Sequence, residues 1–151
     1  MKSVLVVKHK FAEAWLCEAC QLLCKRYESI GFKTPIIRVL YGFTTNGYIT
    51  KKGRSYLGEC LAKSWSKNGE NIIIIPPKIK HPVDILSILG HEIAHAIDNC
   101  KSDHGKDFID IMKRYGYLYQ GKSDFAGKEL IKFYRETSIG LGLFPGVDLA
   151  N

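Results

Sequence analysis

Between residues 11 and 30 the polar positions Glu18, Gln21, Lys25 and Glu28 recur at spacings of 3, 4 and 3. The rest of that circumference is largely apolar: Phe11, Trp15, Leu16, Ala19, Leu22, Leu23, Tyr27 and Ile30. A narrow polar stripe on a helical period predicts a helix packed on most of its sides. Gly31 is a suitable C-terminal stop. Three extended segments follow. Residues 35–43 (PIIRVLYGF) are rich in β-branched and aromatic side chains. Residues 56–65 (YLGECLAKSW) carry small side chains on one face, at Gly58, Cys60, Ala62 and Ser64. Residues 71–76 (NIIIIP) form a short apolar run between Gly69 and Pro77. Turn-forming residues at 44–47 and 67–69 separate these segments. The pattern predicts a three-stranded antiparallel meander whose last strand is short and lies at an edge.

Helical spacing dominates the second half. One helix is predicted over residues 82–99, with Pro82 in its first turn. Another spans 104–115, with Phe108, Ile111, Met112 and Tyr115 on one face and Gly116 as its stop. A third runs over 124–137, and the Gly-rich but apolar tail, 139–151, is expected to lie across the body. The fold class is α+β: an N-terminal helix, a three-stranded antiparallel sheet, then further helices.

The chain has 151 residues, which suits one domain over 1–151, with a core from 11 to about 120 and a C-terminal helix and tail over 121–151. Apolar residues make up 46% and charged residues 25%, a composition that excludes wholesale disorder. No apolar run approaches the ~20 residues of a membrane span. The first residues, MKSVLVVK, lack the apolar stretch and cleavage site of a secretory signal, so a cytoplasmic location is expected. Five cysteines, an odd number without framework spacing, read as reduced thiols. Cys17 and Cys20 fall inside a predicted helix and read as packing residues, not as a zinc pair. Cys100 lies near the loop discussed below. A redox role is conceivable for it, but a small packed residue is the plainer reading. Trp15 and Trp65 read as core aromatics, and His9 and His81 as surface or capping histidines.

The formal net charge is +7. A basic surface favours polyanions, so weak DNA binding without base specificity is one expectation. The basic groups are short: Lys8-His9-Lys10, Lys51-Lys52-Gly53-Arg54 and Lys78-Ile79-Lys80-His81. None amounts to a nucleic-acid-binding tail.

The sharpest chemical signal is His91-Glu92-Ile93-Ala94-His95. On a helix, positions i and i+4 lie about 40° apart, so His91 and His95 can present two imidazoles to one metal ion. Glu92 sits beside that face, where a general base is needed. Leu86, Leu89, Ile93, Ala96 and Ile97 form an apolar stripe on the opposite side. Catalytic zinc takes three protein ligands and keeps a fourth position for water. His104, nine residues after His95 and past a break in the helical pattern, is the best third candidate. Glu129 and Glu136 are the alternatives. Tyr115, Tyr117 and Tyr119 are unranked candidates for a second oxyanion stabiliser beside zinc. A substrate peptide could add to the edge of the 71–76 strand.

Residues 56–116 resemble the SprT-like zinc metallopeptidase domain. The matching features are the strand around Leu57-Gly58, the Ile72-Ile73-Ile74-Ile75-Pro76 run, Leu89-Gly90-His91-Glu92-Ile93-Ala94-His95-Ala96, and His104-Gly105-Lys106-Asp107-Phe108. The His-Gly-x-x-Phe element is the specific part. The resemblance implies a small zincin-like core, Zn2+ held by His91, His95 and His104, Glu92 as general base, and a protein or peptide substrate. Relatives include proteases that degrade proteins crosslinked to DNA. Many relatives carry a C-terminal zinc ribbon of paired cysteines, and this chain has no cysteine after Cys100. A second reading keeps the zinc as a structural element of a basic module that binds nucleic acid or a protein partner. The intact Glu92 weighs against it.

Overall fold

The computed structural model describes residues 7–45 and 57–147. The basic group 51–54, the second half of the turn expected at 44–47 and the last four residues of the tail lie outside the described residues.

The N-terminal helix forms as its polar stripe predicts. Helix α1 spans Ala12–Ser29 and buries Trp15, Leu16, Ala19, Leu23 and Tyr27. Gly31 follows it at φ +98°, the left-handed region that glycine enters without steric cost. Phe11, one residue outside the helix, is exposed.

The extended segments form a sheet of strands β1 (Ile37–Tyr41), β2 (Glu59–Leu61) and β3 (Asn71–Ile75) in the order β1-β3-β2. The expected meander is corrected here. β1 pairs with β3 in parallel, Val39 opposite Ile73, while β2 pairs with β3 antiparallel, Cys60 opposite Ile73. β3 is therefore the central strand, not an edge. Its apolar residues explain this: Ile73, Ile74 and Ile75 are all buried, as befits a strand covered on both faces. β2 is shorter than expected. After Leu61 the chain enters a 3-10 turn, Lys63–Trp65, and Trp65 stands 66% exposed, contrary to its expected place in the core.

Helix α2 (Pro82–Ile97) packs against α1, β2 and β3. His81 occupies its N-cap position, and Pro82 opens it, where the missing N–H costs nothing. Helix α3 (Lys106–Tyr115) buries Phe108, Ile111, Met112 and Tyr115 and stops at Gly116, φ +126°. A hairpin that the sequence pattern did not predict comes next. β4 (Tyr117–Gln120) and β5 (Ser123–Ala126) pair around the two-residue loop Gly121-Lys122, with Gly121 at φ +61°. Helix α4 (Lys128–Leu141) thus starts four residues later than expected. The tail lies across the body as far as it is described. Trp15 Nε1 donates to Gly142 O at 3.1 Å, and its ring meets Phe144 edge-on at 5.0 Å. No helix among the described residues is long and apolar enough to cross a membrane.

Tyrosines fix α2 from behind. Tyr27 Oη donates to Gly90 O at 2.7 Å, and Tyr117 Oη donates to Ser87 O at 2.5 Å. The Tyr117 and Tyr134 hydroxyls lie 2.6 Å apart. A Cβ built on Gly90 would stand 2.2 Å from Tyr134 Oη and 2.5 Å from Tyr117 Oη. Glycine is unfavourable inside a helix, and here the space that its missing side chain leaves is filled by two buried hydroxyls. The buried side of α2 is thus held by hydrogen bonds as well as packing, and this sets the direction of the opposite, histidine-bearing side.

Candidate metal centre

His91 and His95 project from α2 into a cleft of about 960 Å3. Leu57, Gly58, Glu59 and Cys60 line it from the β2 side, Lys78, Ile79 and Lys80 from the β3–α2 loop, and Asp103 and His104 from the turn after α2. Leu89, Ile93 and Ala96, on the other side of the helix, are buried.

The turn after α2 returns the chain to the cleft. Asn99 and Cys100 adopt left-handed φ values of +49° and +57°. For residues with a Cβ this conformation costs about 1–3 kcal/mol and persists only where the surroundings enforce it. They do so here. Cys100 N donates to His95 O at 2.8 Å, and Asn99 Oδ1 accepts from Lys63 N at 3.0 Å and Asn71 Nδ2 at 3.2 Å. Asp98 Oδ2 then accepts from both Ser102 N and Ser102 Oγ at 2.7 Å. Gly105 N donates to Ser102 O at 2.7 Å, so tightly that a Cβ on Gly105 would stand 2.8 Å from that oxygen. This closed turn delivers His104 just before α3.

The three imidazoles converge. His104 Nε2 lies 3.2 Å from His95 Nε2 and 3.3 Å from His91 Nε2, and one nitrogen from each residue falls within 4.8 Å of the other two. Together these histidines could hold a metal ion. Glu129 and Glu136, the alternative third ligands, are exposed on α4 and do not join the group. Phe108 floors the cluster, stacked on His95 at 4.1 Å and edge-on to His91 and His104. The His-Gly-x-x-Phe element thereby acquires a physical account: a donor, a turn that only glycine fits, and a ring against which the donors rest.

Asp124, on the unpredicted hairpin, places Oδ2 3.0 Å from His91 Nδ1. Such a contact holds the proton on Nδ1 and leaves Nε2 as the free donor. Burial disfavours the charged form of His91. The hydrogen bond to Asp124 and the charges of Glu92 and Asp124 outweigh this and set its pKa above the usual imidazole value. Burial raises the Asp124 carboxyl, yet the same hydrogen bond and the nearby histidines leave it below the usual range. Burial, with His91 and His104 nearby, pushes His95 down to about 3, so it is neutral and able to ligate.

Glu92 lines the same cleft with only 6% of its surface exposed. Burial pushes its carboxyl up to about 7. His91 opposes this, while Glu59 and Asp124 add to it. Gly58 makes room for it: a Cβ there would lie 3.1 Å from Glu92 Oε1 and 2.8 Å from Ile88 Cγ2. The tyrosines are not at this site in the way expected. Tyr115 and Tyr117 are buried in the core, and Tyr119 is not among the residues lining the cleft. Of the other two histidines, His9 is half-buried and pairs with Glu18, and only His81 lies at the surface. No family model matches the chain, and no curated protein or solved structure matches it either.

Proposed function

We propose that this protein is a zinc metallopeptidase that hydrolyses peptide bonds in protein substrates, proteins bound to DNA among them. The observation that carries the reading is the convergence of three Nε2 atoms beside a buried carboxylate that is not itself part of the cluster. Two nitrogens about 2.0–2.1 Å from one zinc ion, at a tetrahedral angle, stand about 3.3–3.4 Å apart. The separations of 3.2 and 3.3 Å fit that spacing. The resemblance of residues 56–116 to the SprT-like domain supports the same assignment.

His91, His95 and His104 would hold the ion. When bound, it supplies a Lewis acid and lowers the pKa of water. Glu92, in the wall of the same cleft, would accept a proton from the attacking water and return it to the departing amine. Asp124 holds His91 in the tautomer that leaves Nε2 free, and Phe108 limits how far the imidazoles can turn. The substrate strand cannot add to β3, whose two sides are already paired. The outer side of β2 has no strand partner among the described residues, and β2 contributes Glu59 and Cys60 to the cleft. An extended peptide adding there through main-chain hydrogen bonds would lie alongside Glu92. Against the alternative of a purely structural zinc, no fourth side-chain donor joins the three histidines among the described residues. Structural sites usually fill that position from the protein.

Glu92→Gln tests the reading. It keeps the size of the side chain but cannot take a proton, so hydrolysis of an unstructured protein substrate should fall about 10²–10⁴-fold. Zinc content and fold should be unchanged. Equal cleavage by both forms assigns the activity to a contaminant. Absence of cleavage by the zinc-loaded wild type, with and without DNA, favours the binding-module reading.

A further inference from the structure

Two cysteines face each other in the wall of the cleft and have no part in the chemistry above. Cys60 lies on β2, and Cys100 in the turn after α2. Their sulfurs are 3.6 Å apart, and Cys100 Sγ also lies 3.5 Å from Cys60 O. We infer that Cys60 and Cys100 form a reversible thiol–disulfide site that reacts with small disulfides entering the cleft.

The geometry singles out this pair. A disulfide needs its sulfurs at about 2.05 Å, so the two must close by about 1.6 Å. Both backbones are anchored near the bonding position. Cys60 sits in register opposite Ile73, and Cys100 is held by its N–H to His95 O. The left-handed φ of Cys100, +57°, belongs to the turn that brings its side chain against β2. Both residues are half-buried and line the cleft, so a small reagent can reach them. The other three cysteines are worse placed. Cys17, Cys20 and Cys24 lie at i, i+3 and i+7 along α1, so successive ones are three and four residues apart. Neighbours at those spacings keep their Cβ atoms about 5–6 Å apart, beyond the ~3.5–4.5 Å that a disulfide spans.

The reaction balances without any group outside the cleft except the reagent. One cysteine thiolate attacks a small disulfide, RSSR. A mixed disulfide forms and one RS⁻ leaves. The second cysteine thiolate attacks the protein sulfur of that mixed disulfide, the Cys60–Cys100 bond forms, and the second RS⁻ leaves. The two protons given up by the cysteines end on the two released thiolates. The cysteine pair is oxidised by two electrons, and the small disulfide is reduced to two thiols. The new bond ties β2, which follows Gly58 at Glu92, to the turn that leads to His104. The inference does not depend on the metallopeptidase reading.

The experiment incubates the full, zinc-loaded chain with oxidised glutathione, quenches it with acid, and maps it by mass spectrometry without reduction. The expected product has lost two hydrogens and yields one crosslinked peptide pair containing Cys60 and Cys100. Denatured thiols fall from five to three, and dithiothreitol restores them. Cys60→Ser and Cys100→Ser should each abolish the crosslink and leave a persistent glutathione adduct on the remaining partner. Five free thiols after oxidation, adducts confined to the exposed Cys17, or a crosslink joining any other pair would overturn the inference.

Discussion

Asp124 Oδ2 and His91 Nδ1 stand 3.0 Å apart, joining the β4–β5 hairpin to the candidate metal-binding face of α2. Asp124 is only partly buried, yet the contact decides which nitrogen of His91 faces the cleft. The hairpin is therefore more than a connection between α3 and α4: it supplies the carboxylate that orients one of the three candidate donors.

Removing that carboxylate should weaken zinc binding without removing a ligand. Outer partners of this kind typically contribute 10–100-fold to metal affinity. Asp124→Ala is expected to raise the zinc dissociation constant by about that factor, and Asp124→Asn by less, because the amide still offers an oxygen to Nδ1–H. Competition against a chromogenic chelator measures both. Unchanged affinity in Asp124→Ala would mean that Phe108 packing alone orients His91.

The two-histidine motif and its packed reverse side were legible because they rest on local periodicity. The helix predicted over 11–30 is observed over Ala12–Ser29, and the one predicted from residue 82 begins at Pro82. His104 was legible from spacing and from the break over 99–103 that turns the chain back, although the Asp98–Ser102 hydrogen bonds that close the turn were not. Asp124 was missed because Phe125, Leu130, Phe133 and Tyr134 suggest a helical period that masks a four-residue strand. The alternation of Tyr117 and Tyr119 ahead of Gly121 was the available hairpin signal. The sheet order was missed for a different reason. Strand pairing is non-local, and nothing in residues 35–43 states that they run parallel to 71–75. The uninterrupted isoleucines did carry the information that β3 is covered on both faces. Trp65 was misplaced because aromatic character says nothing about direction once a 3-10 turn replaces a strand.

Gly90 offers a test of how α2 is held. Gly90→Ala raises helix propensity, yet its methyl would overlap the Tyr134 and Tyr117 hydroxyls. Overpacking of this kind costs about 1–3 kcal/mol. For a chain of this length that lowers Tm by roughly 2–12 °C. The double variant Gly90→Ala with Tyr134→Phe should lose less than the sum of the single changes, since one of the two clashing oxygens is gone. Strict additivity would place the cost elsewhere.

The net charge of +7 leads to a separate expectation. The protein should bind duplex DNA weakly, without preference between sequences, and log K should fall with log salt at about −0.9 per phosphate contact. Fluorescence anisotropy with two unrelated duplexes at several salt concentrations measures this. A flat salt response, or no binding at low salt, removes DNA as a partner.

The proposed third ligand carries the most direct consequence for the candidate centre as a whole. His104 is the most exposed of the three histidines, yet its Nε2 lies within 3.3 Å of both others, so no other described residue can take its place without moving the turn. His104→Ala should leave α2 intact, because the tyrosine contacts lie on the opposite side, but should reduce zinc below one ion per chain after dialysis. Ligand binding stabilises the fold by about 2.7 kcal/mol when the free ion is at 100 times its dissociation constant. Zinc should therefore raise the Tm of the wild type by several degrees, roughly 5–11 °C at that ratio. A chelator should reverse the shift, and His104→Ala should show little of it. Elemental analysis together with calorimetry separates the outcomes. Full zinc content with an undiminished thermal shift in His104→Ala would transfer the third position to another donor and undo the assignment of the cleft.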